Sequence, residues 1–437
     1  MSVEHLCLYE DEGFEKLLPL VYFRPVFELL CGAATLSERV RVTFPEAELH
    51  LLVRDYLVES TRDSVPATSC NDLRAIEGSA LFLSGRLLDV ERGDLPLEGD
   101  DEVFLCRGQV VGFRLTGESL RAWRDRLAAP VSKAVLEEIR GTFPAREAFA
   151  SLGPGEALLA TYPWDLIEAN PCLIARDAQL LERPGLASAP PGVVVLGEEG
   201  ETGTAFSAGG ARLEIAGSAR VDPSVVIDLT DGPVLIGEWT VIRPPTIISG
   251  PCFIGDSVVV DGAKIRPGTS IGDCCRVAGE VEQSIFLPHV NKHHEGFIGH
   301  AYVCSWTNLG ALTTNSDLKN NYRSVRVMVG GEEVESGLLK VGCFIGDHTK
   351  TGIGTLIDTG AVIGPFCNIL GGRGPTPKFV PAFSWDSPDG FVEHRLDQAI
   401  ENARTVCARR DRTLGAADER LIEQVYSLTA ADREPKG

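Results

Sequence analysis

The sequence has little positive charge for its size and no apolar stretch of membrane-spanning length. Among its 437 residues, 41 Lys and Arg face 62 Asp and Glu, which gives a net charge of -21 at pH 7. Because no surplus of cations can displace counterions, binding to a nucleic-acid backbone is not expected as the main role. No apolar run approaches the roughly 20 residues of a membrane-spanning helix, and the first residues, MSVEHLCLYEDEG, do not resemble a secretory signal peptide. We therefore expect a cytoplasmic protein with no nucleic-acid partner and no membrane segment.

A C-x-x-C pair is also absent, although the chain has twelve cysteines. The cysteines are scattered through long apolar segments, which favours buried, reduced thiols over a disulfide framework. A structural zinc site is not expected, and we assign no residue to a metal site. Apolar residues make up 44% of the chain and charged residues 24%, so a folded protein of two or three domains is expected.

A repeat of six residues is the strongest pattern in the sequence. Eight apolar residues fall six apart, and a second run keeps the same step, with Thr351 in its one polar position. A period of six fits neither a helix nor a strand alternation, but it fits short parallel strands that each form one side of a triangular coil. The sequence therefore predicts a parallel β-helix. The first run is Leu235, Val241, Ile247, Phe253, Val259, Ile265, Ile271 and Val277, and the apolar members of the second are Leu339, Ile345, Ile357, Ile363 and Ile369.

The rest of the chain differs from the repeat region. Residues 1–182 alternate strand and helix patterns, which predicts an α/β domain with a largely parallel sheet. Residues 183–212 are rich in Pro and Gly and are predicted to form a linker. The β-helix is predicted over 213–373, and 374–437 should form a loop and one or two helices that cap its open strand edges.

The six-residue register is lost after Val277, resumes with a shifted phase at Phe297, and is lost again from Thr313 to Gly337. Insertions into a solenoid leave it as loops on one face, where binding sites usually lie. The first interruption and its margin contain half of the chain's eight histidines, which are His289, His293, His294 and His300.

The residues from His294 to Ala311, HEGFIGHAYVCSWTNLGA, resemble the catalytic coil of bifunctional N-acetylglucosamine-1-phosphate uridyltransferases, in their hexapeptide-repeat acetyltransferase half. The family pattern is His-x-x-aromatic-aliphatic-Gly, then Asn-aliphatic-Gly-Ala at the spacing found here. Residues 263–268 resemble the family's Arg-Pro-Gly segment. Residues 163–170 begin with Pro at an early helical position and resemble the helix that joins the two halves. The resemblance implies an α/β nucleotidyltransferase-like N-terminal domain, then a left-handed parallel β-helix with C-terminal capping helices.

The resemblance also implies a set of site residues. A histidine is suited to deprotonate an amine at neutral pH, and His294 matches the family's general base, with His293 as the alternative if the register differs by one. Arginine and lysine supply charge-assisted hydrogen bonds to a sugar phosphate. The acceptor site is assigned to Arg266, Phe297, Asn308, Asn315, Asp317, Lys319, Tyr322 and Arg323. The acetyl-CoA site is assigned to Gly310, Ala311, Gly352, Ile353 and Gly371.

The chain departs from the family pattern at three places. The family's lysine near the start of this coil is replaced by Gln283 or Ser284. An Asn-Tyr pair becomes Asp317–Leu318, and a serine against the acetyl group becomes Ile353. These changes leave acetyl transfer in place but leave the acceptor's identity open.

The N-terminal half has a poor match to a nucleotide-binding loop. A Gly-rich loop cradles triphosphate through backbone N–H groups, whereas Leu8–Gly13 is acidic and has a single glycine. Mg²⁺ and UTP are expected only if this half is active. The candidate nucleotide-binding residues are Arg24, Gly32, Gly85 and Arg86, and Asp89 lies near the last two.

The main hypothesis is acetyl-CoA-dependent N-acetylation of an amino-sugar 1-phosphate, followed by uridylyl transfer towards UDP-N-acetylglucosamine if both halves act. One alternative is a catalytically silent sugar-nucleotide binding or scaffold protein. Another is a zinc hydratase like the γ-class carbonic anhydrases, with His289, His294 and His300 as ligands across a trimer interface. Because a single prism buries little between its flat faces, a homotrimer is predicted.

Overall fold

The computed structural model describes residues 4–65, 68–90, 95, 98–148, 159–181, 189–197, 212–371 and 374–433. The chain forms two compact units. The first contains Met1–Leu29 and Ala34–Asp165, and the second contains Leu30–Ala33 and Leu166–Gly437. The predicted domain boundaries after residues 182, 212 and 373 lie in or beside stretches outside the described residues and stay a prediction.

The first unit is an α/β domain built on one seven-stranded sheet, in the order β3-β2-β1-β4-β6-β5-β7. Strands β1 to β4 pair in parallel, whereas β6 runs antiparallel to both β4 and β5. Every residue of β4 is buried, as expected for a central strand covered on both faces. The strands are β1 His5–Tyr9, β2 Glu48–Leu52, β3 Ser69–Cys70, β4 Ser79–Ser84, β5 Glu102–Cys106, β6 Gln109–Thr116 and β7 Ala145–Glu147.

The helices of the first unit are short. Helix α1 begins with a capping box between Thr35 and Glu38, which satisfies two backbone N–H groups at its start. The α-helices are α1 Leu36–Thr43, α2 Val58–Ser64, α3 Gly117–Trp123 and α4 Lys133–Thr142, and 3₁₀ helices lie at Glu12–Leu17, Val26–Glu28, Asp55–Leu57, Leu73–Ala75 and Arg124–Arg126.

Helix α5, Pro163–Leu180, begins at Pro163 as predicted and continues into the second unit. Its buried Asn170 accepts a hydrogen bond from Gly32 N–H at 2.5 Å and donates to Gly268 O at 2.8 Å. Asp177 accepts from Ala33 N–H at 2.7 Å. These side chains satisfy backbone groups of residues 30–33, which explains why that short segment belongs to the second unit.

The second unit is the predicted left-handed parallel β-helix. One face is a nine-stranded sheet in the order β31-β29-β26-β22-β19-β17-β15-β12-β9, and all its strand pairs are parallel. Successive strands of this face lie about three hexapeptides apart in the chain, one per coil. The strands up to the second interruption are β8 Val194–Leu196, β9 Leu213–Ile215, β10 Arg220–Val221, β11 Val226–Asp228, β12 Val234–Ile236, β13 Val241–Arg243, β14 Ile247–Ser249, β15 Cys252–Ile254, β16 Val259–Ile265, β17 Thr269–Ile271, β18 Arg276–Glu282, β19 Ile285–Phe286, β20 Asn291–Lys292, β21 Phe297–Gly299, β22 Tyr302–Val303 and β23 Thr314–Asn315.

The core position of the repeat changes phase within the first run. Up to Val260, the buried core includes the residue after each predicted position, so that Ile247 is exposed and Ile248 is buried, although Leu235 and Phe253 are buried as well. From Ile265 onwards the predicted positions of this run do lie in the core. The phase changes because Val260 and Ile265 are five residues apart instead of six. The pairing of β16 with β18 shifts register in the same stretch, between Val260 and Ala263.

The two predicted interruptions differ in the structure. The first is not an insertion, because β19, β20 and β21 continue the coil through it. The second leaves the coil and forms an antiparallel hairpin, β24 Arg326–Val329 with β25 Glu332–Glu335. Leu339, predicted to start the second run, lies after this hairpin and is exposed, whereas Ile345 and the later aliphatic members are buried.

The coil then resumes and is covered by helices, as predicted. Tyr426 of the cap packs edge-on against Phe383 of the last coils, with ring centroids 5.0 Å apart. Among the described residues, no helix combines the length and apolar character that a membrane crossing needs. The remaining elements are β26 Cys343–Ile345, β27 Lys350–Thr351, β28 Leu356–Ile357, β29 Ala361–Ile363, β30 Asn368–Ile369, β31 Phe379–Val380, β32 Ser384–Ser387, β33 Gly390–Glu393, α6 Leu396–Ala408, α7 Ala416–Leu428 and α8 Ala430–Arg433.

One corner of the coil is lined by non-glycine residues with left-handed backbone. Such a conformation costs an L-residue about 1–2 kcal/mol, and stacking of the rings offsets this cost. His289 stacks on Trp306 at 4.0 Å between centroids, and Phe366 stacks on Phe383 at 4.9 Å. The left-handed residues of this corner include Trp239, Ser257, Cys274, His289, Trp306, His348, Phe366 and Phe383.

Candidate functional site

The candidate base His294 is exposed in the loop between β20 and β21. The buried Lys292 fixes its backbone: Lys292 Nζ donates to His294 O at 2.9 Å and to Ala278 O at 2.7 Å. Burial lowers the pKa of Lys292 to about 8, against the opposing charge of Glu295. Gly296 has a φ of 133° and leaves no room for a Cβ against the Thr313 carbonyl. The loop therefore presents the imidazole from a fixed backbone.

A histidine–carboxylate pair lies on the neighbouring strands. His300 Nδ1 is 2.8 Å from Asp317 Oδ2, and the His300 ring is buried. Burial alone would raise the pKa of Asp317, but its hydrogen bond and attraction to His300, with the charge of Lys340, hold it below its usual value. A Cβ on Gly299 would be 2.9 Å from Asp317 Oδ2 and would overlap the Phe297 ring. The structure thus brings Phe297, His300 and Asp317 together around Gly299.

The two candidate asparagines make structural contacts. Asn315 is 2% exposed; its Oδ1 accepts from Gly299 N–H at 2.8 Å and its Nδ2 donates to Gly299 O at 2.9 Å. Asn308 Oδ1 accepts from Asn291 Nδ2 at 2.7 Å, in a ladder of side chains along the coil. The amide of Asn315 is fully engaged by the neighbouring coil, so it is not a free substrate-binding group.

Arg266 follows a core residue and points away from the coil, where it meets carboxylates. Its Nε lies 2.5 Å from Glu280 Oε1 and 3.8 Å from Glu282 Oε2, and its side chain is 50% exposed. Lys340 Nζ donates to Glu282 Oε1 at 3.0 Å. The guanidinium is therefore paired but solvent-accessible, so another anion could replace the carboxylates that it contacts.

The other candidate cations lie on the loop between β23 and β24. Lys319 Nζ donates to Ser324 O at 2.7 Å, which closes the loop on itself. Tyr322 and Arg323 are exposed. Gln283, at the place of the family's lysine, donates from Nε2 to Glu168 Oε1 at 3.2 Å, so it is turned towards helix α5.

Glycine is needed at the positions assigned to acetyl-CoA, because adjacent coils approach so closely there that a Cβ would not fit. The N–H of Gly310 donates to Thr351 O at 3.2 Å and to Thr351 Oγ1 at 3.0 Å. A Cβ on Gly310 would be 2.6 Å from Thr351 O, and the N–H of Gly352 donates to Ile369 O. These amides pair within the coil and do not point towards solvent.

An exposed aliphatic edge runs beside these glycines. Ile353 is 75% exposed, and Leu312 and Leu370 are also exposed. They lie on adjacent coils, because Gly354 N–H donates to Ala311 O and Gly352 N–H donates to the residue before Leu370. Gly371, with a φ of 73°, turns the chain at the end of this edge.

In the first unit, the carboxylate that follows β1 is already paired. Asp11 Oδ1 is 2.7 Å from Arg86 Nε, and Oδ2 is 3.1 Å from Arg86 Nη2. Asp11 also accepts from Ser84 Oγ at 3.0 Å and from Gly13 N–H at 2.8 Å. Mg²⁺ is held through carboxylate oxygens, and here the partly buried guanidinium of Arg86 occupies both. Asp11 and Arg86 therefore do not fit a magnesium site. Glycine is needed at position 85, because a Cβ there would be 2.8 Å from the Phe27 ring.

A second buried pair lies beside it. Both oxygens of Glu10 accept from Arg54, at 3.0 Å and 3.1 Å, and neither residue is exposed. Arg24 Nη1 donates to Leu20 O at 2.9 Å. Gly32 belongs to the second unit, where Asn170 and Ser270 bind its backbone. The four candidate nucleotide-binding residues therefore do not form one site within the first unit.

The three histidines of the hydratase hypothesis do not converge within one chain. In the part of the chain that the structure describes, a single group of His, Cys, Asp or Glu side chains is close enough to hold a metal, and it is His5, Glu48 and His50. Lys292 was not singled out from the sequence, and Asp317 and His300 were, but their pairing with each other was not expected. The signal for Lys292 was a lysine inside the repeat region, next to the two histidines of the loop.

The fold defines a two-part protein, with a nucleotidyltransferase-like α/β domain and a left-handed β-helix. Residues 6–184 match the family model for "Sugar nucleotidyl transferase", and about a third of the chain is similar to a bifunctional sugar-1-phosphate nucleotidylyltransferase/acetyltransferase. The resemblance stated from the sequence is confirmed.

Three relatives illustrate the similarity. The chain is 32% identical over 144 residues to the "Bifunctional sugar-1-phosphate nucleotidylyltransferase/acetyltransferase" of Sulfurisphaera tokodaii, and the match covers 32% of this chain and 36% of the relative. It is 30% identical over 179 residues to the "Bifunctional protein GlmU" of Ralstonia pickettii, covering 35% of this chain and 36% of the relative. It is 28% identical over 151 residues to the "Uncharacterized acetyltransferase YaiX" of Escherichia coli, covering 34% and 66%. The matched part spans about a third of the first two relatives.

Proposed function

We propose that this protein is an acetyl-CoA-dependent N-acetyltransferase whose acceptor is an amino-sugar 1-phosphate. The observation that carries the proposal is the exposed His294 imidazole on a loop that the buried Lys292 holds in place. Acetyl transfer to an amine needs a base for the proton that the amine loses, and an imidazole serves this role at neutral pH. The names of the relatives, which include acetyltransferases, support the same reading.

The acceptor's phosphate is assigned to Arg266. Its pairs with Glu280 and Glu282 are half exposed, and such pairs are worth only about 0–1 kcal/mol. A charge-assisted hydrogen bond to phosphate contributes roughly 1.5–3 kcal/mol, so a phosphate can replace the carboxylates. The exposed edge around Ile353 supplies apolar surface for the methylene groups of the coenzyme A arm.

Uridylyl transfer is not assigned to the N-terminal domain. Releasing Arg86 from Asp11 for a nucleotide phosphate would leave a buried carboxylate unpaired, at a cost of about 3–5 kcal/mol. This observation favours a catalytically silent N-terminal domain, which is the scaffold alternative applied to this domain alone. Incubation with UTP, Mg²⁺ and N-acetylglucosamine 1-phosphate should release no pyrophosphate, and turnover there would overturn this part of the proposal.

The acetyl-transfer proposal is tested by thiol release from acetyl-CoA with glucosamine 1-phosphate. Removing a general base costs about 10²–10⁴-fold in rate, so His294→Ala should lose that much. His289→Gln is the matched control and should retain the rate, because the His289 ring stacks on Trp306 at the corner of the coil. Arg266→Ala should raise KM for the sugar phosphate more than it lowers kcat. Absence of thiol release from the wild-type protein would remove the proposal.

A homotrimer is part of the same proposal, because coenzyme A would need a second surface against the exposed edge at Leu312, Ile353 and Leu370. Sedimentation equilibrium should give three times the chain mass. A mass near one 47.0 kDa chain would contradict it.

A further inference from the structure

Three metal-ligating side chains meet at the amino-terminal edge of the β1–β2 pair. The strand register places His5 beside Glu48, and His50 lies two residues further along β2. Residues two apart in a strand, and direct partners in a parallel pair, share one face of the sheet. The three side chains therefore point to the same side. They lie at the other end of β1 from Asp11, roughly 13 Å along the strand from its first to its last residue.

The separations between the ligand atoms suit one ion. His5 Nδ1 is 3.0 Å from His50 Nε2 and 3.5 Å from Glu48 Oε2, and His50 Nε2 is 4.0 Å from Glu48 Oε1. Zinc binds nitrogen and oxygen at about 2.0–2.2 Å in tetrahedral geometry, which sets neighbouring ligand atoms roughly 3.3 Å apart. The two histidines approach different oxygens of Glu48, so rotation of this exposed carboxylate and shifts of up to about 0.7 Å would bring one oxygen and both ring nitrogens to that spacing.

The donor set and its burial also fit a transition metal. Two imidazoles and one carboxylate are a familiar zinc set that leaves one position for water. The His50 side chain is 2% exposed and that of His5 12%, whereas Glu48 is open to solvent. Glu48 at the surface gives an entry path.

We propose that His5, Glu48 and His50 bind one divalent transition-metal ion, Zn²⁺ foremost, which joins the start of β1 to β2. The ion would connect a residue near the start of β1 to the second strand of the central sheet. The proposal is independent of acetyl transfer, and the site lies apart from Asp11 and Arg86.

The test uses the untagged full-length protein, stripped with a chelator and titrated with Zn²⁺ alone by calorimetry. One equivalent should bind, and Co²⁺ should give the strong visible absorption of a tetrahedral site. Glu48→Gln and His50→Gln should each weaken binding by more than the roughly 10–100-fold that loss of an outer-sphere partner costs. Glu77→Gln, another exposed carboxylate of the same unit, is the matched control and should bind as the wild type does.

Because Glu48 is exposed, Glu48→Gln should fold normally even if His50→Gln does not, and circular dichroism checks both. Zn²⁺ should raise the unfolding temperature of the wild type and of Glu77→Gln, but not of Glu48→Gln. The proposal is overturned if the wild type takes up no Zn²⁺, or if uptake is the same in Glu48→Gln.

Discussion

Replacing Asn315 by alanine should destabilise the β-helix and only secondarily affect catalysis. The Asn315 amide pairs with both the N–H and the C=O of Gly299, at 2.8 Å and 2.9 Å, in a buried position. Alanine leaves both Gly299 groups without these partners, and each buried unsatisfied group costs about 1–3 kcal/mol. We expect a loss of about 2–5 kcal/mol. Each kcal/mol lowers Tm by about 2–4 °C in units of 150–250 residues, and the second unit is slightly larger, so the expected fall is at most roughly 4–20 °C.

Differential scanning calorimetry of the apo protein measures this change, and hydrogen exchange in peptides containing Gly299 localises it. Asn315→Asp should be at least as harmful as Asn315→Ala, because a carboxylate oxygen would replace the Nδ2 donor opposite the Gly299 carbonyl. Asn321→Ala is the matched control. Asn321 is exposed and its Oδ1 accepts only a local bond from Arg323 N–H, so its loss should cost less than about 0.5 kcal/mol.

The reasoning would be refuted if Asn315→Ala kept the wild-type Tm and exchange pattern but raised KM for the acceptor sugar. That outcome would mean that Asn315 contacts substrate, as the sequence resemblance implied. A lower Tm with faster Gly299 exchange and an unchanged KM would establish the structural role.

The folded-state pKa of Lys292, about 8, lies below its ordinary 10.5, so the unfolded chain binds more protons between these values and stability rises with pH across that window. Lys292→Met should remove this rise in urea denaturation series, and parallel pH profiles would contradict it. Glu10→Gln should cost the first unit about 3–5 kcal/mol, because Arg54 stays buried without its counter-charge; a change below about 1 kcal/mol in urea unfolding would argue against it. Tyr426→Ala should cost the second unit about 1–3 kcal/mol through loss of packing on Phe383, whereas Tyr426→Phe, which loses an exposed hydroxyl bond, should stay within about 0.5 kcal/mol in the same assay; equal losses would show that the ring contact is unimportant.

The β-helix could be predicted because its pattern is local. Each coil needs an aliphatic residue facing inwards at every sixth position, and this requirement is visible in the letters themselves. The phase of the core before Val260 could not be predicted, because the repeat positions from Leu235 to Val259 and the residues directly after each of them are all apolar. The five-residue step from Val260 to Ile265, where the strand register shifts, changes which row continues the core.

The candidate site was predictable to a lesser degree. His294 and Phe297 could be placed from a short motif, because their positions in the loop follow from the coil. The partners of the charged residues could not, since Arg86 meets Asp11 across 75 positions of sequence and His300 meets Asp317 on the next coil. A cation that looks available for phosphate in the sequence is neutralised when the fold brings a carboxylate to it.

The amino-acid sequence alone determined the architecture, the two-part organisation and the family resemblance, because repeat spacing and short motifs depend on neighbours in the chain. Only the tertiary structure decided which polar groups are free. The fold pairs Asn315 with Gly299 and Arg86 with Asp11, and it leaves Arg266 in a half-exposed ion pair. It also brings His5, Glu48 and His50 together. The physical reason is that hydrogen bonds, ion pairs and metal sites join residues distant in sequence, and strand register sets their distances.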